Sequence, residues 1–281
     1  MSKLISSVKC FGGAVQKFVH QSKVVQCEMT FTAFVPSKAA VQKVPALYYL
    51  SGLTCSPENF ITKAGAFAAA EKHGIALIAP DTSPRDVNIE GEDDSYDFGS
   101  AAGFYVDATE PKWAKHYNMY SYVVSELPEL VEEHLPLIEG NKSIFGHSMG
   151  GHGALTIYLK NPGAYKSVSA FSPICNPTDC PWGVKAFSGY LGEDNMEAWG
   201  DYDATLLMEK YGGPKTPILI DQGLDDSFLV EQLKPDSFKA ACSKSGVPLN
   251  LRLQEGYDHS YFFISTFIAD HVDFHANALL K

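Results

Sequence analysis

The sequence predicts an α/β protein: a doubly wound, mostly parallel sheet with antiparallel N-terminal strands and helices on both faces. Three observations predict it. Between roughly residues 6 and 36 polar and apolar residues alternate, the two-residue period of strands with one wet face. Beyond that point short, nearly unbroken apolar runs recur at 46–50, 75–79, 143–145, 167–171, 218–220 and 249–253, as expected of strands covered on both faces. Helical patterns separate these runs, and such alternation is the signature of a parallel, right-handed wound sheet.

Taken in order, Gln26, Glu28, Thr30 and Thr32 lie between apolar neighbours, and Met29-Thr30-Phe31-Thr32-Ala33-Phe34-Val35 is the clearest of the first strands. Helices are expected at 64–73, about 119–135, 154–159, 237–245 and near 263–280. Two stretches suit neither strand nor helix: residues 81 to about 115, rich in Asp, Gly and aromatics, and residues 176–214. Irregular segments of that length in a compact domain are usually functional or partly structured. With no repeat, low-complexity tract or linker-like shift in composition, a single domain over residues 1–281 is the economical reading.

Sheets of this kind bind ligands beyond the carboxyl ends of their strands, and those ends carry reactive groups here. The run 143–145 leads into Gly146-His147-Ser148-Met149-Gly150, a serine flanked by glycines between a strand and a helix. That pattern is a nucleophile elbow, a turn so tight that its flanking positions must lack bulk. After the run 218–220 come Gly223-Leu224-Asp225-Asp226, and after 249–253 come Tyr257-Asp258-His259-Ser260. Serine, acid and histidine in that order match the α/β-hydrolase fold and differ from the two well-known serine protease orders. Ser148, Asp225 and His259 are separated by 77 and 34 residues, which leaves room for the intervening elements.

The chemistry accounts for the residue types. A serine hydroxyl attacks only when a base accepts its proton. Histidine suits that role because its pKa is near neutrality, and an aspartate fixes its tautomer and stabilises the imidazolium. Asp225 is favoured as the acid, and Asp226 beside it reads as a turn former. His147 and His152 sit at positions set by the turn. Two backbone N–H groups are expected to bind the oxyanion: that of Met149, next to the nucleophile, and that of Leu53 in the loop Ser51-Gly52-Leu53-Thr54-Cys55, where Gly52 permits close approach.

The formal net charge of −11 argues against nucleic acid or an anionic membrane as partner, and no apolar run reaches the length of a membrane span. The first residues lack the apolar segment of a signal peptide, so a cytoplasmic protein with six free cysteines is expected. His271 and His275, four apart on the C-terminal helix, could in principle clamp a metal; without a companion glutamate motif a solvated helix face is the simpler reading.

At these residues the chain closely resembles the S-formylglutathione hydrolase (esterase D) family. The resemblance runs nearly end to end through Tyr49-Leu50-Ser51-Gly52-Leu53-Thr54-Cys55, Ala79-Pro80-Asp81-Thr82-Ser83-Pro84-Arg85, Gly103-Phe104-Tyr105-Val106-Asp107-Ala108-Thr109, the elbow, Phe171-Ser172-Pro173-Ile174-Cys175-Asn176-Pro177, Gly223-Leu224-Asp225-Asp226 and Tyr257-Asp258-His259-Ser260-Tyr261. It implies a serine thioesterase that converts S-formylglutathione to glutathione and formate in formaldehyde detoxification. It further implies activity on small esters, no cofactor and no metal, and a tendency to form homodimers. By the same resemblance Ser148, Asp225 and His259 match the family triad, Leu53 and Met149 the oxyanion hole, and Cys55 a thiol beside the active site. Trp182 is a candidate wall of the acyl pocket. An acyltransferase or a general carboxylesterase could use the same triad, whereas a binding protein on this scaffold typically lacks one triad member.

Overall fold

In the computed structural model, which describes residues 2–281, nine strands form one sheet. They are β1 (Ser2–Cys10), β2 (Gly13–Gln21), β3 (Glu28–Val35), β4 (Val44–Leu50), β5 (Ala76–Pro80), β6 (Leu137–His147), β7 (Val168–Phe171), β8 (Ile218–Gly223) and β9 (Leu249–Gln254), in the spatial order β1-β2-β3-β5-β4-β6-β7-β8-β9. β1, β2 and β3 pair antiparallel and β3 joins β5 antiparallel; every pairing from β5 to β9 is parallel. The expected change of character after residue 36 is therefore a change from hairpin to crossover topology.

The central strands β4, β5, β7 and β8 are buried at every position, which explains their unbroken apolar sequences. One core lies on each face of the sheet. The larger includes Tyr48, Leu50, Ile144, Leu155 and Ile220; the other includes Leu47, Tyr49, Phe145, Phe171 and Phe263. Alternate residues of β4 thus point into opposite cores, as strand geometry requires. The helices used below are α1 (Pro57–Lys63), α2 (Phe67–His73), α3 (Leu127–His134), α4 (Met149–Lys160), α5 (Pro181–Leu191), α6 (Pro235–Ser245) and α7 (Tyr261–Leu279).

Two expectations need correction. Residues 176–214 are largely helical: α5 is followed by Met196–Gly200 and Ala204–Glu209. The two glycines within α5 are packing positions. A Cβ at Gly183 would lie 2.0 Å from the Pro177 carbonyl oxygen, and one at Gly189 would lie 2.3 Å from the Phe98 ring. His271 and His275, in turn, do not lie on a solvated face, because both are fully buried between α7 and the sheet.

These two histidines belong to a continuous buried chain of hydrogen bonds. Ser143 meets Ser167 at 2.8 Å, Ser167 meets His275 Nδ1 at 2.7 Å, and His275 Nε2 meets Ser169 at 2.7 Å. Ser169 meets His271 Nδ1 at 2.8 Å, and His271 Nε2 reaches Asp221 Oδ2 at 3.0 Å. Asp221 also accepts from Arg252 Nε at 2.7 Å and Gln254 Nε2 at 3.0 Å. Burial alone raises the Asp221 carboxyl, but the bonds from His271 and Arg252 outweigh it and bring it to about 2. Burial pushes His271 and His275 below the ordinary imidazole value, and His152 falls to about 4 for the same reason.

This predicts acid instability with a definite sign. In the unfolded chain these imidazoles take up protons near pH 6.5, whereas in the fold they stay neutral to lower pH. Stability is complete above about 6.5 and falls as the pH drops toward the folded values, by about 3 kcal/mol for His152 alone. Urea midpoints measured between pH 7.5 and 5 check this; a midpoint that does not fall over that interval contradicts it.

Candidate active site

β6 delivers His147 and Ser148 to the carboxyl edge of the sheet, and α4 begins at the next residue. Ser148 holds φ 57° and ψ −119°, a backbone state few side chains tolerate. The turn is fixed by close approach. A Cβ at Gly150 would lie 2.0 Å from the Leu50 carbonyl oxygen, and one at Gly146 would lie 2.2 Å from the Gly150 carbonyl oxygen. The serine main chain is tied on both sides, its N–H donating to Phe171 at 3.0 Å and its carbonyl accepting from His152 at 2.9 Å and Ile174 at 3.2 Å. Met149, the first residue of α4, presents an N–H with no acceptor within its own helix.

The loop after β4 crosses in front of the serine. At Gly52 an added Cβ would come within 3.1 Å of Ser148 Cβ and 3.2 Å of the His147 carbonyl oxygen. Leu53 and Cys55 follow on the same cavity wall. Residues 81–115, irregular as expected, brace this loop from behind. The Cys55 carbonyl accepts from Thr82 Oγ1 at 2.6 Å and Arg85 Nη2 at 2.9 Å, with Arg85 held on Asp81 at 2.6 Å. The Tyr105 hydroxyl donates to the Ser51 carbonyl at 2.9 Å. Burial pushes the Cys55 thiol up, and the charges of Lys63 and Arg85 oppose that shift.

The acid differs from the sequence expectation. His259 Nδ1 lies 2.5 Å from Oδ2 of Asp226, a carboxylate with no solvent exposure, whereas Asp225 is exposed. The reason is the turn after β8. The Asp225 N–H bonds the Tyr257 carbonyl at 3.0 Å, anchoring the strand end and directing the next side chain inward. Asp226 is indeed a turn former, since Oδ1 accepts the Phe228 N–H at 2.9 Å, and its second oxygen is left for the histidine. One side chain serves both purposes that sequence reading divided between two residues.

Ser148, His259, Leu53, Cys55 and Trp182 line one cavity of about 320 Å³. Trp182 lies on α5 rather than in a loop; its indole donates to the Tyr96 hydroxyl at 3.1 Å, and its ring packs on Phe228 with centroids 4.6 Å apart. Tyr96, Phe228, Tyr261 and Asn59 complete the wall and were not singled out from sequence. Nor was the role of His147, whose ring lies 4.4 Å from that of His259. Both its ring nitrogens are buried without a hydrogen-bond partner among the described residues. Burial, reinforced by neighbouring His259, holds His147 well below the ordinary imidazole value, so a neutral ring faces the base. Among the described residues no cluster of His, Cys, Asp and Glu is arranged to hold a metal, and no helix is long and apolar enough to cross a membrane.

Comparison with known proteins identifies the family. The Esterase family model, described as "Putative esterase", matches residues 22–274. An S-formylglutathione hydrolase of Bos taurus is 58% identical over 278 residues, 99% of this chain and 98% of its own. One from Arabidopsis thaliana is 58% identical over 277 residues, 98% of this chain and 97% of its own. The solved structure of an S-formylglutathione hydrolase from Agrobacterium tumefaciens superposes with a TM-score of 0.95 at 46% identity, covering 98% of this chain and 99% of that one. With its fold, its length and more than half of its residues shared, the chain belongs to the esterase family and, within it, to the S-formylglutathione hydrolases.

Proposed function

We propose that this chain hydrolyses S-formylglutathione to glutathione and formate through an acyl-enzyme on Ser148. The observation that carries the reading is the Asp226–His259 pair, at 2.5 Å, on the wall of the cavity that also holds Ser148. His259 takes the serine proton as Oγ attacks the thioester carbonyl, and Asp226 holds the Nδ1–H tautomer that leaves Nε2 free to act as base. The developing oxyanion is bound by the N–H groups of Leu53 and Met149. As the carbon–sulfur bond breaks, His259 returns the proton to the glutathione sulfur. It then takes a proton from the water that attacks formyl-Ser148 and returns it to Ser148 Oγ as the ester bond breaks, releasing formate and restoring the free serine. Trp182 and Phe228, packed with centroids 4.6 Å apart, wall the cavity that holds Ser148 and His259 and receives the acyl group. In this reading the molecule acts in the cytoplasm as one domain without a cofactor, and as a homodimer.

Ser148→Ala tests the mechanism: kcat on S-formylglutathione should fall by about 10⁶ while the folded state is kept. Turnover of the variant within tenfold of wild type would remove the serine from the reaction. Comparing formyl with acetyl and longer acyl-glutathiones tests the substrate, and formyl should be strongly preferred.

A further inference from the structure

Glutathione is far larger than the acyl group it leaves behind, and it carries two carboxylates and one ammonium. A chain of net charge −11 repels such an anion unless a local cation receives it. Beyond Tyr261 the catalytic cavity adjoins a second groove of about 580 Å³, lined by Lys63, Ser260, Tyr261, Phe262 and Ser265. Tyr261 lines both, so the cavity and the groove, taken together as a trough, meet at this one side chain.

Helix α1 supplies the polar side of this trough. Asn59 lines the catalytic cavity and Lys63 the outer groove; four residues apart, they lie on one helix face about one turn from each other. Asn59 Oδ1 already accepts the Ser56 N–H at 3.0 Å, which leaves the side-chain NH₂ for a ligand. Lys63 Nζ lies 5.8 Å from the Tyr261 ring centroid and makes no ion pair among the described residues. Its charge also acts on the Cys55 thiol inside the cavity. The other cations at this edge are committed, Arg85 to Asp81 and Lys185 to Asp97. The N-terminus of α7 is occupied too: Ser260 accepts the Phe262 N–H, and Asp258 accepts from the Ser260 N–H and hydroxyl.

We infer that the trough between α1 and the start of α7 is the leaving-group subsite, in which Lys63 pairs with a carboxylate of the glutathionyl peptide and the Asn59 amide donates to its backbone. This rests on the formyl-thioester reading and adds the residues that recognise the thiol half of the substrate.

The test is the ratio of kcat/KM on S-formylglutathione to that on p-nitrophenyl acetate, which has no peptide. Lys63→Met should lower the ratio about threefold and Lys63→Glu about tenfold, chiefly through KM, as expected for an exposed charge pair lost and then reversed. Lys63→Arg should restore it, and the effect of Lys63→Glu should shrink at high salt. Lys9→Glu, on edge strand β1, changes net charge equally and should leave the ratio alone. An unchanged ratio in Lys63→Glu overturns the inference, as does an equal drop in Lys9→Glu. A wild-type enzyme that does not favour the glutathionyl thioester over the simple ester overturns the formyl-thioester reading, and this subsite with it.

Discussion

Asp226→Asn should lower kcat by about 10⁴, while Asp225→Asn stays within about twofold of wild type. The two residues are adjacent and chemically identical, so the contrast isolates position. In Asp226→Asn the side-chain oxygen can still accept the Phe228 N–H, as Asp226 Oδ1 does at 2.9 Å, so the turn survives. What is lost is the negative charge at 2.5 Å from His259 Nδ1. The amide NH₂ then favours the wrong imidazole tautomer and gives no support to the imidazolium that forms during attack. A loss of 10⁴ corresponds to about 5.5 kcal/mol of barrier. Steady-state rates on a p-nitrophenyl ester and on S-formylglutathione, with melting curves to confirm folding, decide the matter. Equal rates for the two variants would remove Asp226 from the role assigned to it.

Asp221→Ala should be the most damaging substitution for stability, costing about 3–5 kcal/mol. The carboxylate has no exposure and accepts from Arg252, His271 and Gln254 at once. Its removal leaves Arg252 with only the exposed Asp270 as its anion and the His271 Nε2–H without an acceptor, and full burial makes the second loss costly. Asp221→Asn keeps acceptor capacity and shape and should cost clearly less. Urea denaturation at pH 7.5 measures both. Because Asp221 lies beneath the site rather than in its cavity, folded Asp221→Ala at low temperature should retain most of its activity. A loss below about 1 kcal/mol would show that Arg252 and His271 find other partners.

The central architecture was legible because burial leaves a period in the sequence. β4, β5 and β7 appear as apolar runs within two residues of their ends, and the glycine-flanked Ser148 marks the junction of β6 and α4. What was illegible has a common physical cause: tertiary contacts decided it. α1 has few apolar residues and starts at Pro57 behind the Ser56–Asn59 cap, so no hydrophobic period announces it. In α5, Gly183 and Gly189 look like breakers, yet each is small because Pro177 or Phe98 occupies the space of a side chain. The choice between Asp225 and Asp226 turns on the direction of one backbone bond to Tyr257, which local sequence does not encode. His271 and His275 read as ordinary helix polars because their partners, Ser167, Ser169 and Asp221, lie in or beside strands 50 to 108 residues away in the chain.

The buried chain from Ser143 to Asp221 has a direction. Asp221 is ionised and can only accept, so His271 Nε2 carries its proton. A neutral His271 then accepts at Nδ1, which obliges Ser169 to donate there and to receive from His275 Nε2–H. His275 in turn accepts from Ser167, and Ser167 from Ser143. With both rings neutral, no other order satisfies all five bonds. Every hydroxyl rotor and both tautomers follow from one carboxylate at the end of β8. The dipoles therefore align like compass needles across three strands, and reversing any one requires reversing its neighbours.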